Sequence, residues 1–171
     1  MAVSIYDVSI PVYQNMLKNL AAFLDKAEAH AKSQGKDPAD YLAARLAPDM
    51  ATLTAQVQFA SDAAKSGAAR LAGVTPPSFP DTETTWEEVK ARIAKTLAFL
   101  EGVTPAQLEG AEDRTIELKF PSGSMTFSGR DFVTRFSLPN FLFHVTTAYG
   151  ILRSQGVPLA KMDFLAGGAA G

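Results

Sequence analysis

The chain has 171 residues, 47% of them hydrophobic and 20% charged, and a length of this order suits one domain that buries roughly two-thirds of its unfolded surface. It contains no cysteine, which excludes disulfides, thiolate zinc sites, iron–sulfur clusters and a cysteine nucleophile, and which fits a reducing cytoplasm. The net charge is −2, with 16 Lys and Arg scattered among 18 Asp and Glu, so no basic stripe exists for phosphates and nucleic acid is not an expected partner.

Along the chain, Ile10, Tyr13, Leu17, Leu20, Leu24 and Ala27 recur at steps of three and four. This spacing predicts a helix over about residues 5–33, stopped before Gly35. No basic region precedes it and Lys18 interrupts its apolar stretch, so it does not read as a leader peptide. Asp37 and Pro38 open a short helix expected to reach Leu46. A second long helix is expected from Asp49, with a stripe through Met50, Leu53, Val57, Ala60, Ala64, Ala68 and Leu71. Its second half is rich in Ala and Gly, which lets a neighbouring helix come close, and Gly73 with Pro76, Pro77 and Pro80 ends it in a stiff loop.

Thr84 and Glu87 have capping-box spacing for a third helix that buries Trp86, Val89, Ile93, Leu97 and Leu100 and stops at Gly102. Thr104, Pro105 and Gln107 signal one further turn. The period then switches to two. Thr115 to Phe120 and Met125 to Phe127 alternate about the turn Pro121-Ser122-Gly123-Ser124, which predicts a β-hairpin laying Ile116, Leu118, Phe120, Met125 and Phe127 on the helices. A fourth long helix is expected from Gly129 to Gln155, capped by Ser128 with Asp131. A kink is expected at Pro139, whose ring meets the Arg135 carbonyl. This helix carries Asn140 and His144 within its apolar run and is too polar to span a bilayer, so neither a membrane nor a location outside the cytoplasm is expected. Residues 166–171 should form a loose tail.

These elements make a mainly α protein, a four-helix bundle with a small hairpin inserted before the last helix. In such bundles, sites form from side chains that face each other in the core. Of the two histidines, His30 reads as a surface residue beside Glu28 and Lys32. His144 lies in the aromatic stretch Phe141-Leu142-Phe143-His144, one turn after Asn140, so the two polar side chains share a helix face. A buried histidine satisfied by one neighbour accounts for the same pattern. No Glu-x-x-His pair, His-Glu-x-x-His motif, glycine-rich phosphate loop or Gly-x-Ser-x-Gly elbow is present. The acidic residues Asp49, Asp62, Glu87 and Glu88 read as caps or solvated faces.

The segment from Pro139 through His144 and Arg153 to Gly156 resembles the last helix of the DinB/YfiT-like superfamily of proposed metalloenzymes. More closely, it is similar to an uncharacterised bacterial family within it, domain of unknown function nineteen-ninety-three. Tyr6 to Leu24, Pro48-Asp49-Met50 and Lys161 to Leu165 fit that family too, so the resemblance covers nearly the whole chain. It implies a single DinB-like bundle over residues 1–165, often homodimeric, with a central pocket. In the superfamily that pocket typically holds a divalent metal on one histidine from helix two and two histidines, four apart, from the last helix. By the resemblance, His144 matches the second of that pair, Asn140 falls on the first, and Gln56 stands near the helix-two position.

Two carboxamides and one imidazole are a poor set for zinc or nickel. The expectation is therefore a degenerate metal site without a cofactor, in which Gln56, Asn140 and His144 bind an unknown small molecule. Two alternatives stand beside it. One is a divalent-metal-dependent hydrolase or thiol transferase of the YfiT-like kind. The other is a non-catalytic dimeric interaction protein with a closed core.

Overall fold

Ile10, Tyr13, Leu17, Leu20, Phe23 and Leu24 lie fully buried along one face of the first helix and set the axis of the bundle. The computed structural model describes residues 3–167. Helix α1 spans Ile10–Ser33, α2 Leu53–Ala72, α3 Trp86–Glu101, and the hairpin strands β1 and β2 are Thr115–Phe120 and Gly123–Ser128. A short α4 (Gly129–Asp131), a π-helical segment (Phe132–Ser137) and α5 (Leu138–Ser154) follow one another without interruption. A last helix, α6 (Lys161–Ala166), closes the described chain. The four long helices with a hairpin before the last of them are the architecture expected from the pattern, and the fold class is mainly α.

Several boundaries differ from the expectation, each for a local reason. Helix α1 begins at Ile10 and not near residue 5. Pro11 has no N–H to continue the ladder, and the preceding turn closes on itself through Ser9 Oγ, which donates to the Ile5 carbonyl at 2.6 Å. The short helix after Asp37 is one turn, Pro38–Tyr41, rather than a run to Leu46. Helix α2 starts at Leu53, capped by Thr52 and not by Asp49. Residues 42–52 fold back so that the Leu53 and Thr54 amides donate to the Ala44 and Leu42 carbonyls. The capping box of α3 is Thr85 with Glu88, one residue later than Thr84 with Glu87. Both pairs have the right spacing. Glu88 wins because its Oε2 accepts from the amides of both Thr84 (2.7 Å) and Thr85 (3.0 Å).

In the hairpin, Ile116 pairs with Phe127, Leu118 with Met125 and Phe120 with Gly123. Ile116 and Leu118 are buried as expected, but Phe120 and Met125 near the tip are exposed. Its base is fixed from both sides. Arg114 donates to the Leu71 carbonyl at the end of α2, and Gly129 packs so tightly that a Cβ there would lie 1.7 Å from the Ala111 carbonyl oxygen.

A kink is expected at Pro139, and just before it the chain winds Phe132–Ser137 as a π-helix. The wider turn lets the ladder pass the proline's missing N–H, and it also changes which side chains face inward. Helix α6 is tied to α1 by Lys26 with Asp163 and by Asn19 Nδ2, which donates to the Phe164 carbonyl at 2.7 Å. Of the expected loose tail, the first two residues are placed. Ala166 ends α6, Gly167 caps it with φ +61°, and residues 168–171 lie outside the described residues.

Candidate functional site

The first turn of α2 places Gln56 inside the bundle, opposite α5, with only 2% of its surface exposed. Its Oε1 lies 2.8 Å from His144 Nδ1, and its Nε2 faces the Ala51 carbonyl at 3.5 Å. An amide oxygen can only accept, so this contact requires the hydrogen of the neutral imidazole to sit on Nδ1. The lone pair is then on Nε2. Burial moves the His144 pKa below its ordinary value, so the ring is neutral at pH 7. Two aromatic rings hold it in place, Phe59 with a centroid at 5.1 Å and Phe143 edge-on at 5.4 Å.

His144 lines a pocket of about 290 Å³ between α2, the hairpin and the π-helical segment. This is at the low end for small-molecule sites. Its walls are aromatic, with Phe59 from α2, Phe120 from β1, and Phe132 and Phe136 from the π-helical turn. Asn140 lines the same pocket one turn from His144, on its exposed rim. Gln56 does not reach the pocket surface; it sits behind His144 and holds it. Of the three expected site residues, two therefore face the pocket, and the third orients one of them.

The pocket floor holds a pair that the sequence did not suggest. Tyr13 of α1 has no exposed surface, and its hydroxyl lies 2.6 Å from Ser137 Oγ. Burial pushes the phenol up to about 12, so it stays protonated. Ser137 is the only partner of that hydroxyl among the described residues. The phenol must donate or leave a buried donor unmet, and the serine hydrogen is then free to turn into the pocket. The site exists because residue 67 is glycine: a Cβ there would lie 2.6 Å from Ser137 Oγ and 2.7 Å from the Tyr13 hydroxyl. The small-residue half of α2 had signalled a close helix approach, but not what it approached.

The second unforeseen group is Arg92 on α3, whose side chain is 1% exposed. It donates to Asp62 (2.8 Å), Glu83 (2.9 Å) and the Pro80 carbonyl (3.1 Å), and pairs with Asp81 at 2.9 Å. Asp62, read from sequence as a solvated residue, thus belongs to an ion network that also includes Lys65 at 2.9 Å. The spacing Val89, Arg92, Thr96 falls on the buried face of α3 and was the available signal. His30 also departs from its surface reading, with Nδ1 3.0 Å from the Tyr41 hydroxyl.

The superfamily resemblance implies a divalent metal, and the donor set here does not fit one. The set offers one imidazole, whose Nδ1 is engaged by Gln56, an amide oxygen committed to that contact, and the rim amide of Asn140. Among the described residues, no group of three or more His, Cys, Asp or Glu lies close enough together to hold an ion. Also among them, no helix is long and apolar enough to cross a membrane.

No curated protein matches the chain. A crystal structure of a DinB family member from Shewanella denitrificans is similar to it, at 42% identity, covering 97% of this chain and 94% of that one, with a TM-score of 0.88. The family described as "domain of unknown function (DUF1993)" matches residues 5–165. With that match over nearly its whole length and the bundle it shares with a DinB family member, the chain belongs to this uncharacterised DinB-like family.

Proposed function

We propose that this protein binds a small organic molecule in the pocket beside His144, on a site whose ancestral metal ligands have been replaced. The observation that carries the reading is the Gln56–His144 hydrogen bond of 2.8 Å. A buried glutamine that fixes one ring nitrogen leaves the other as a defined acceptor, able to take a hydrogen bond or a proton from a ligand. Asn140 offers both a donor and an acceptor at the rim, and the phenylalanine walls offer apolar area. The interaction-protein reading expects a closed core here, and an open pocket lined by this histidine counts against it.

A thermal-shift screen of a small-fragment library tests the reading. Compounds that raise the melting temperature of the wild type should lose that effect in His144→Ala. They should weaken in Gln56→Leu, where the ring loses its fixed tautomer. If no fragment stabilises the protein, or if stabilisation persists unchanged in His144→Ala, the pocket is not a binding site anchored by this histidine.

A further inference from the structure

The charges around the pocket are unequally satisfied. Asp62 lines it, but its Oδ1 already lies 2.8 Å from Arg92 and 2.9 Å from Lys65, so this carboxylate is already paired. At the other end stand Arg70 and Lys119. Lys119 has a loose, exposed pairing with Glu117 at 3.6 Å, worth little in water. Arg70 has no carboxylate within 4.0 Å among the described residues, and its guanidinium makes one long contact to the Ser66 carbonyl at 3.4 Å.

A basic residue in the last turn of a helix often serves the helix's negative end. Here Arg114 already donates to the Leu71 carbonyl at that end, which leaves Arg70 less needed there. Gly67 lies one turn before Arg70 on the same face of α2, and Ser137 Oγ packs against Gly67. Ser137 and Arg70 therefore line the same wall of the pocket, one beside Gly67 and the other a turn beyond it. From Asp62 to Arg70 the wall runs eight residues, roughly 12 Å at 1.5 Å per residue.

We propose that the ligand is a small organic carboxylate with a flat apolar body, its carboxylate taken by Arg70 with help from Ser137 and its body lying among Phe59, Phe132 and Phe136. The inference rests on the pocket reading above and adds the chemistry of the occupant. A guanidinium recognises a carboxylate through two parallel N–H donors, and aromatic walls favour a planar partner. The neutral His144 acceptor is suited to a hydroxyl or N–H elsewhere on the ligand, not to its anionic end.

Isothermal titration with 2-naphthoate and its neutral analogue 2-naphthamide tests this. At low salt the carboxylate should bind about tenfold more tightly than the amide, as one charge-assisted contact would give. The preference should shrink as salt is raised. Arg70→Gln should abolish the preference by weakening 2-naphthoate alone, while Arg70→Lys should keep part of it. Equal affinities in the wild type, or a preference that survives Arg70→Gln, would overturn the anion inference and leave the pocket reading standing. Binding of neither probe would likewise overturn the anion inference, while the pocket reading stands or falls on the fragment screen and its His144→Ala control.

Discussion

Gly67→Ala is the substitution that most directly tests how the pocket floor is built. In an ordinary helix interior this change stabilises, by about 1 kcal/mol, because alanine is the better helix former. Here the new Cβ would lie 2.6 Å from Ser137 Oγ, 2.7 Å from the Tyr13 hydroxyl and 3.1 Å from its Cζ. Both neighbours are buried, Ser137 with 3% of its surface exposed. Tyr13 has no exposed surface, and its ring packs edge-on against Phe141 at a centroid distance of 5.1 Å. Overpacking of this kind costs about 1–3 kcal/mol. Prising apart the Tyr13–Ser137 contact strands a buried phenol donor, for about 1–3 kcal/mol more. Set against the helix gain, the net expectation is a loss of about 1–5 kcal/mol, which for a chain of this size lowers the melting temperature by at least about 2–4 °C.

Urea unfolding should show a lower midpoint at unchanged slope. The companion experiment is the same substitution in a Tyr13→Phe, Ser137→Ala background, which removes both hydroxyl oxygens. There the penalty should largely vanish and the helix gain should emerge. If Gly67→Ala in the wild type behaves as a simple helix improvement, the close approach does not exist as described and the pocket floor is wrong.

Two further outcomes are expected. Arg92→Met should destabilise by about 3 kcal/mol, because it strands Glu83, whose side chain is only 11% exposed, without its cation. The loop over residues 76–85 should then become protease-sensitive, and native-like resistance would show that Arg92 does not clamp it. For His144 the pH dependence has a definite sign. The unfolded imidazole titrates near 6.5, and burial lowers the folded value, so between the two the unfolded chain holds the extra proton. Stability therefore rises with pH across that window and falls on acidification through 6.5, levelling off once the folded ring protonates. Subtracting a His144→Gln variant, measured by urea unfolding from pH 5 to 8, should isolate this slope; parallel curves would mean that the ring is not buried.

Much of the fold was legible because its signals are local. Three-and-four spacing in α1, α2 and α3, strict alternation in Thr115–Phe120, and Gly and Pro at the ends each report a backbone period that does not depend on distant contacts. His144 and Asn140 were legible for the same reason, being one turn apart on one helix. Boundaries were less so. Thr84 with Glu87 and Thr85 with Glu88 are equivalent in spacing, and only the folded turn, in which Glu88 Oε2 accepts from both the Thr84 and Thr85 amides, chooses between them.

What sequence alone determined here is the four long helices, the hairpin and the one polar pair inside an apolar helix, since each follows from periodicity within a single element; the short α6 and the π-helical turn carry no such signal. Tertiary structure decided the rest. Whether Gln56 faces His144, whether Tyr13 meets Ser137 across Gly67, and whether Arg92 gathers Asp62, Asp81 and Glu83 all depend on the rotation and separation of helices far apart in the chain. Those quantities are set by the packing of the whole core, and a π-helical turn before Pro139 is enough to change which side chains of the last long helix look into the pocket.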